Sequence, residues 1–447
     1  MAARREDDGR RTARRRNLQR VLRPRHVAVI GGAAAAQAVR QLDAIGYAGA
    51  IWPVNPRRAD MLGHPCSRLD RRAAAGAGRG RGRGAGRRPA GRVRRARRAA
   101  AAAAASSVAA LALAEDGVDA LERELLEAAG DCALVGPNCH GILNYLDRAA
   151  LWPDDHGGEP VDEGFALISQ SGNVALNATF QQRSAPLGYV ISTGNQAQLE
   201  IGDFIDALVD DPRVHAIGLF IEGLRDVAGF ARAARRALEA GIPVVALKVG
   251  VSAAGARATL SHTAALAGSD AVYDALFERL GVRRAGTLAE LLETLKLLAV
   301  SGPLGGRRMV SLSCSGGEAA LMGDRLAAAG IECPEPSAET AERVAATFGI
   351  PRASVGDAAV DSDAIAGATP GPAPRRFEPA RRRRRLRRLA LLVLDFPPPG
   401  HARPDNWRAA MDGLLAAHAR AGARRGAGDA ARGAARVGRA ATASPPA

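Results

Sequence analysis

The sequence predicts an α/β protein assembled from parallel sheets, and three observations carry that expectation. Short apolar runs alternate with helical patterns along most of the readable chain. Small residues rich in glycine close the apolar runs and open the helices that follow. This strand–glycine turn–helix unit opens three times, at His26, Phe165 and Met309, with no short repeat period, which excludes solenoid architectures.

Taken in order, 26–30 (HVAVI) is the first expected strand, Gly31-Gly32 its turn, and 33–45 a helix that Gly46 stops. The run 50–54 (AIWPV) is the next strand. A helix is expected at 118–129, and 133–135 (ALV) returns as a strand before Gly136-Pro137-Asn138. The second unit opens with a strand at 165–169 that runs into Gln170-Ser171-Gly172 and a helix. Strands follow at 189–193, ending on Gly194-Asn195, and at 214–222, ending on an acid, with a helix at 199–209 between them. Asp226 is the expected N-cap of a helix over 227–240, which Gly241 stops. A strand at 243–249 and helices at 269–280 and 287–300 complete that unit. The third has a strand at 309–314, a Ser315-Gly316-Gly317 turn, a helix to Ala329, a strand at 389–396 and a helix at 407–421.

At 447 residues the chain is long enough for two or three domains. No stretch approaches the roughly 18 unbroken apolar residues of a membrane-spanning helix. The first twenty residues carry charge without the apolar core of a secretory signal. Cys66, Cys132, Cys139, Cys314 and Cys333 have no metal-binding spacing and form no even framework, so no metal site is expected and a reducing cytoplasm fits best.

The net charge of +16 would ordinarily suggest nucleic acid as a partner. The excess is arginine concentrated near the N-terminus, in 71–98, in 375–388 and near the C-terminus, while 113–350 is far closer to balance. Only two of the 62 basic residues are lysine, a bias expected of very GC-rich coding DNA. The segments 71–105 and 353–388 are anomalous, the first being nearly pure Ala, Arg and Gly. A disordered basic linker, an arginine-rich nucleic-acid arm and out-of-frame translation all fit such composition. Out-of-frame translation is favoured because each segment stands where the surrounding fold needs regular structure. A nucleic-acid partner is not expected, since no aromatic residues interleave to stack on bases.

Several turns carry chemistry. Gly31-Gly32, between a strand and a helix, can favour an anion through backbone N–H groups and the helix dipole. Val54-Asn55-Pro56 ends the next strand, where an open α/β sheet binds its ligand, and Asn55 could bond a ribose or pantetheine group. Ser171-Gly172 and Ser315-Gly316-Gly317 are two further helix starts suited to an oxyanion. His262, within Ser261-His262-Thr263, is the candidate nucleophile, because a neutral imidazole nitrogen is nucleophilic near pH 7. Glu222 at its strand end could accept the other ring N–H and fix the tautomer.

Together these residues resemble the NDP-forming acyl-CoA synthetases, relatives of succinyl-CoA synthetase and of the ADP-forming acetate–CoA ligases. The resemblance rests on G-P-N-C-H-G (136–141), S-Q-S-G-N (169–173), S-T-G-N-Q (192–196), G-D-F-I-D-A-L-V-D-D-P (202–212), F-I-E-G (220–223) and S-H-T-A-A-L-A-G-S-D (261–270), in the family's order. It implies a Rossmann-like CoA-binding domain followed by two flavodoxin-like parallel-sheet domains. The expected partition is a basic tail at 1–23, the CoA-binding domain at 24–150, the phosphohistidine domain at 151–303, a second ligase domain at 304–423 and a disordered tail at 424–447. It implies that His262 is phosphorylated and steadied by Glu222, and that Ser171, Gly172, Ser315, Gly316 and Gly317 hold the phosphate. Gly31, Gly32, Val54, Asn55, Pro56, Pro137, Asn138 and Cys139 then form parts of the coenzyme A site. The implied reaction interconverts acyl-CoA, phosphate and ADP with a small carboxylic acid, CoA and ATP. ATP, ADP and Mg2+ belong to an ATP-grasp module, expected on a partner subunit or domain, and an oligomer follows. The alternative is a non-catalytic acyl-CoA-binding protein, or an inactive frameshifted remnant of such a ligase.

Overall fold

A computed structural model describes residues 15–67, 123, 126–127, 129, 133–257, 269–303, 306–312, 316–335, 337–348 and 389–392. The chain forms two compact units that divide between Ala299 and Val300. The expected helix at 407–421 and both anomalous segments lie outside the described residues.

The first unit opens with a helix over 15–22, followed by β1 (His26–Ile30), α1 (Ala33–Ala44) and β2 (Ala50–Val54). Strands β1 and β2 are parallel, paired from His26↔Ala50 to Ile30↔Val54. A short antiparallel hairpin follows, β3 (Asp60–Met61) with β4 (His64–Pro65). The rest of the unit is β5 (Ile142–Asn144), β6 (Ala149–Leu151), β7 (Gly164–Ser169), α2 (Gly172–Thr179), β8 (Leu187–Ser192), α3 (Ile201–Leu208), β9 (Val214–Ile221), α4 (Val227–Glu239), β10 (Val244–Lys248), α5 (Asp270–Leu280), β11 (Arg283–Arg284) and α6 (Leu288–Ser301). Its sheet runs β11-β10-β9-β7-β8-β5-β6. The first five strands are parallel, and β5 and β6 extend the edge antiparallel.

Successive side chains of a strand point to opposite faces, so a strand covered on both sides must be apolar at every position. Strands β7 to β10 obey this away from their ends, where Ser169, Ser192, His215 and Lys248 stand. Ile168, Ile191, Ile217, Leu219, Ile221 and Ala246 face one way, against Phe204 and Leu208 of α3, Phe230 of α4 and Phe277 of α5. Leu167, Val190, Phe220, Val245 and Leu247 face the other, against Ala175 of α2 and Leu291 and Leu295 of α6. Gly218 is the one gap in β9: a Cβ there would fall 2.3 Å from Leu295 Cδ1, so the glycine leaves the room that the Leu295 side chain of α6 fills.

Three expectations need correction. The basic tail expected at 1–23 is a packed helix from residue 15 on. Leu18, Val21 and Leu22, at helical spacing, are buried in the layer beneath α3. The polar side of this helix is also engaged: Gln19 Nε2 donates to the Ala207 carbonyl at 2.8 Å and Arg15 pairs with Asp206 at 3.4 Å. Arg23 pairs with Asp211, which also accepts from Tyr189 Oη at 3.0 Å. Second, 133–135 forms no strand: the Leu134 N–H is satisfied by Gln198 Oε1 at 2.7 Å instead of by a ladder. Third, the expected boundary at 150 falls within β6. Because β5 pairs with β8, the sheet of the second expected domain begins at Ile142.

The second unit contains β12 (Met309–Leu312), α7 (Gly316–Ala328), α8 (Ala338–Phe348) and β13 (Leu389–Leu392). Strands β12 and β13 are parallel, from Met309↔Leu389 to Leu312↔Leu392. Helix α8 was not anticipated from the sequence.

Leu18→Ala is expected to lower stability by about 2–5 kcal/mol, as for other buried leucines, in urea unfolding followed by circular dichroism. Asp211 supplies a pH test. Burial alone would raise its carboxyl, but hydrogen bonds from Arg213 and Arg23 outweigh that and hold it at about 2. Its stabilising contribution is therefore complete above its unfolded value, about 3.9, and is lost as pH falls toward about 2. Asp211→Asn should be destabilised relative to the parent at pH 7, and the gap should narrow across that acid window in urea titrations.

Candidate functional site

The site-bearing residues gather where β7, β8, β9 and β10 end, at the carboxyl edge where parallel sheets bind ligands. At the end of β7 the buried Ser169 hydroxyl donates to the Ser171 carbonyl at 2.7 Å and accepts from the Ser171 N–H at 3.2 Å. Ser171 is the N-cap of α2, its hydroxyl accepting from the Val174 N–H at 3.4 Å. Between them, Gln170 turns into the protein. Its Oε1 accepts from the backbone N–H groups of Glu222 and of Gly223, the latter at 3.0 Å. Its Nε2 donates to the Gly223 carbonyl at 2.7 Å. One buried amide thus joins the turn before α2 to the turn that carries Glu222, itself buried.

Lys248 ends β10, beside β9 in the register Lys248↔Ile221. Its ammonium donates to the Val249 carbonyl and lies 4.6 Å from the centre of the Tyr273 ring. Burial lowers the amine below its ordinary value; Asp270 opposes the fall, Arg284 adds to it and Glu222 opposes it. Tyr273 Oη accepts from the Leu224 N–H at 3.1 Å, so α5 also braces the turn that follows Glu222.

The segment 136–140 docks against the end of β8. Asn195 N–H donates to the Pro137 carbonyl at 2.9 Å and Ala197 N–H to the Gly136 carbonyl at 3.0 Å. Gly194 makes this possible: its φ is +55° and a Cβ would fall 2.1 Å from the Pro137 oxygen. Burial pushes the Cys139 thiol up to about 12, so it is a neutral packing group at pH 7 and no nucleophile. His140 was not singled out by the sequence, yet its ring lies against the first residue of α2. A Cβ on Gly172 would fall 2.2 Å from His140 Nδ1. The ring's Nε2 meets Asp154 Oδ2 at 3.1 Å, and its face packs on the wholly buried Trp152 with centroids 4.9 Å apart.

At the β1 turn, Gly31 has a φ of +154° and Gly32 precedes α1 with no side-chain cap. A Cβ built on Gly32 meets no described residue within 4 Å, so among the described residues nothing covers this helix start, where an anionic group could approach. Val54 is buried and Pro56 exposed. Asn55, expected to reach a ribose or pantetheine group, has both functions in use within the protein: its Nδ2 donates to the Gly31 carbonyl at 2.7 Å and its Oδ1 accepts from the Arg57 N–H at 2.8 Å. It braces the turn that follows β2 against the turn that follows β1.

His262 lies outside the described residues, between Arg257 and Ser269. Ser315 also lies outside them, while Gly316 and Gly317 open α7 in the other unit. Among the described residues no group of three metal-ligating side chains occurs, and no helix is long and apolar enough to cross a membrane.

Residues 162–298 match the model of the succinyl-CoA ligase-like flavodoxin domain. A trans-feruloyl-CoA synthase from an unknown prokaryotic organism is 32% identical over 320 residues, 69% of this chain and 45% of that protein. The alpha subunit of ADP-forming acetate–CoA ligase II from Pyrococcus furiosus is 33% identical over 230 residues, 50% of this chain and 49% of that one. The chain belongs to the NDP-forming acyl-CoA synthetase family. It spans about half the length of these curated relatives. In fold it resembles the apo form of the dinucleotide-forming acetyl-coenzyme A synthetase 1 of Ca. Korarchaeum cryptofilum, with a TM-score of 0.67 at 21% identity over 90% of this chain and 87% of that one. The same synthetase in complex with phosphate and ADP gives a TM-score of 0.58 at 24% identity, over 73% and 71%. The sheet order of the first unit has the α/β, mostly parallel character that this likeness carries.

Gln170→Ala would leave the Glu222 and Gly223 N–H groups buried without an acceptor. A loss of about 2–4 kcal/mol is expected in urea unfolding, against less than about 0.5 kcal/mol for the exposed Gln181→Ala.

Proposed function

We propose that this chain is the CoA-handling, phosphohistidine-bearing part of an NDP-forming acid–CoA ligase. The acyl group of a small-acid CoA thioester passes to phosphate, giving an acyl phosphate and CoA. The phosphoryl group then passes to an imidazole nitrogen of His262, releasing the carboxylate, and finally to ADP. Every step is reversible. ADP, ATP and Mg2+ belong to an ATP-grasp module on a partner subunit or domain, where the ion would offset phosphate charge. The stretch from residue 24 up to β5 serves as the Rossmann-like CoA-binding domain, and the stretches from β5 to α6 and from β12 onward as flavodoxin-like ligase domains.

The observation that carries this reading is the Gln170 amide. It holds the Glu222 backbone against the turn that leads into Ser171-Gly172. A carboxylate able to orient an imidazole and a helix start able to hold a phosphoryl group therefore emerge from adjacent strands. In the sequence His262 follows β10, the strand next to β9. Donors aligned on a transferring phosphoryl group supply the main stabilisation in such chemistry. On the CoA side, the open Gly31-Gly32 helix start would receive anionic groups of the coenzyme, with Val54, Asn55 and Pro56 shaping one wall. Pro137, Asn138 and Cys139 would stand close to its reactive end. Gly316 and Gly317, with Ser315, are assigned as a second anion-holding turn. The relatives include an alpha subunit by name, which supports a separate partner.

The test is to incubate the chain with acetyl-CoA and radiolabelled phosphate and assay for acid-labile, base-stable protein phosphate. Label on His262 is expected, abolished in His262→Asn and reduced about tenfold or more in Glu222→Gln, with CoA binding retained in both. CoA binding with no phosphohistidine under any condition, including addition of an ATP-grasp subunit, would overturn the proposal in favour of a binding protein.

A further inference from the structure

We infer that His140, held by Asp154, is the general base that takes the proton from the CoA thiol when the thioester forms, and returns it when the thioester is cleaved. The inference rests on the ligase reading above and adds to it a residue that the phosphohistidine step does not use.

His140 stands between two parts of the expected site. On its N-terminal side is the 137–139 segment assigned to CoA, and against its ring is the Gly172 start of α2 assigned to the phosphate. The closeness of the second contact is set by glycine: the Cβ of any other residue would come within 2.2 Å of Nδ1. The ring cannot turn freely. Its main-chain N–H is tied to Ser192 Oγ at 3.2 Å, its face lies on Trp152, and Nε2 is 3.1 Å from the Asp154 carboxylate. The Asp154 carboxylate accepts a hydrogen bond from Nε2–H, which keeps the proton on that nitrogen and leaves the Nδ1 lone pair on the side of the α2 start. No described residue hydrogen-bonds Nδ1. Asp154 is half exposed, so protons can exchange with water on that side.

This arrangement does what the acyl transfer requires. As the thioester forms, the S–H bond of CoA breaks and its proton moves to Nδ1. The sulfur electron pair makes the new S–C bond at the acyl carbon. The bond from that carbon to the phosphate oxygen breaks, and phosphate leaves with the electron pair toward the donors at Ser171-Gly172. In the opposite direction the imidazolium returns its proton to the departing thiolate. Cys139, adjacent in sequence and half-buried, cannot serve instead, because desolvation pushes its thiol up to about 12 and keeps it neutral.

The experiment uses the full chain with acetyl-CoA and arsenate, which replaces phosphate and gives an acyl arsenate that hydrolyses, so CoA release needs no nucleotide module. Thiol release is followed with a chromogenic thiol reagent. The expected result is that His140→Gln lowers kcat by about 10²-fold or more with little change in KM for acetyl-CoA. His140→Ala should be partly rescued by added imidazoles in proportion to their basicity, and Asp154→Asn should show a smaller fall. Folding of each variant is checked by its urea midpoint. A folded His140→Gln that turns over at the parent rate, or a folded, slow His140→Ala that imidazoles do not rescue, would overturn the assignment. Failure of the ligase reading appears differently, as a parent chain that releases no CoA with arsenate, and it removes the role of His140 as well.

Discussion

The carboxyl edge of the sheet depends on one side chain, the buried amide of Gln170. Two strand ends, β7 and β9, must stop level with each other and present a helix start and a carboxylate side by side. The backbone ladder between them ends with the Gln170 N–H donating to the Phe220 carbonyl at 3.2 Å, so residue 222 needs a further tie to β7. The amide bridges the gap by accepting from two N–H groups and donating to one carbonyl. Buried polar groups of this kind are costly unless every partner is present, so the bridge is close to all-or-none and holds the edge in one arrangement. Gly194, Tyr273 and Gly172 then fix the neighbouring loops by close contact with that edge.

Most of the regular structure was readable in the sequence because its strands are buried on both faces. Runs such as FALI and AIGLFI carry no polar interruption, and Asp226 caps its helix through the Gly229 N–H at 2.8 Å, as its position suggested. The misreadings have a common origin in contacts made far along the chain. Leu134 resembles a strand residue by composition, but a glutamine 64 positions away satisfies its backbone. The hairpin 142–151 is too short to announce itself and exists because β8 offers an edge. Within the candidate site, the glycine turns and Glu222 were visible from their place at strand ends. His140 was hidden, because what distinguishes it is the proximity of Asp154, Trp152 and Gly172, and none of these follows from local pattern.

Charge shows the same lesson. The arginine excess invites a reading in terms of tails and polyanions, yet several arginines are structural. Arg213 is bonded to Asp147 at 2.9 and 2.8 Å and to Asp211 at 3.1 Å, and Arg23 joins the same acids. Partly buried networks of this geometry contribute more than isolated surface pairs, which are worth little. Counting charge along the sequence does not reveal which arginines are engaged in this way.

The helix over 15–22 has a bearing on how this protein can be dissected. A version trimmed to begin at Pro24, the natural cut if the leading arginines were a mere appendage, would peel three apolar side chains from the layer under α3. It would also take Arg15 and Arg23 away from Asp206, Asp210 and Asp211, leaving Arg236 and Arg213 as their arginine partners. What would be left is a greasy furrow rimmed with acids, a surface inclined to self-associate, and poor recovery of such a truncated form would say nothing about the chemistry at the opposite end of the strands.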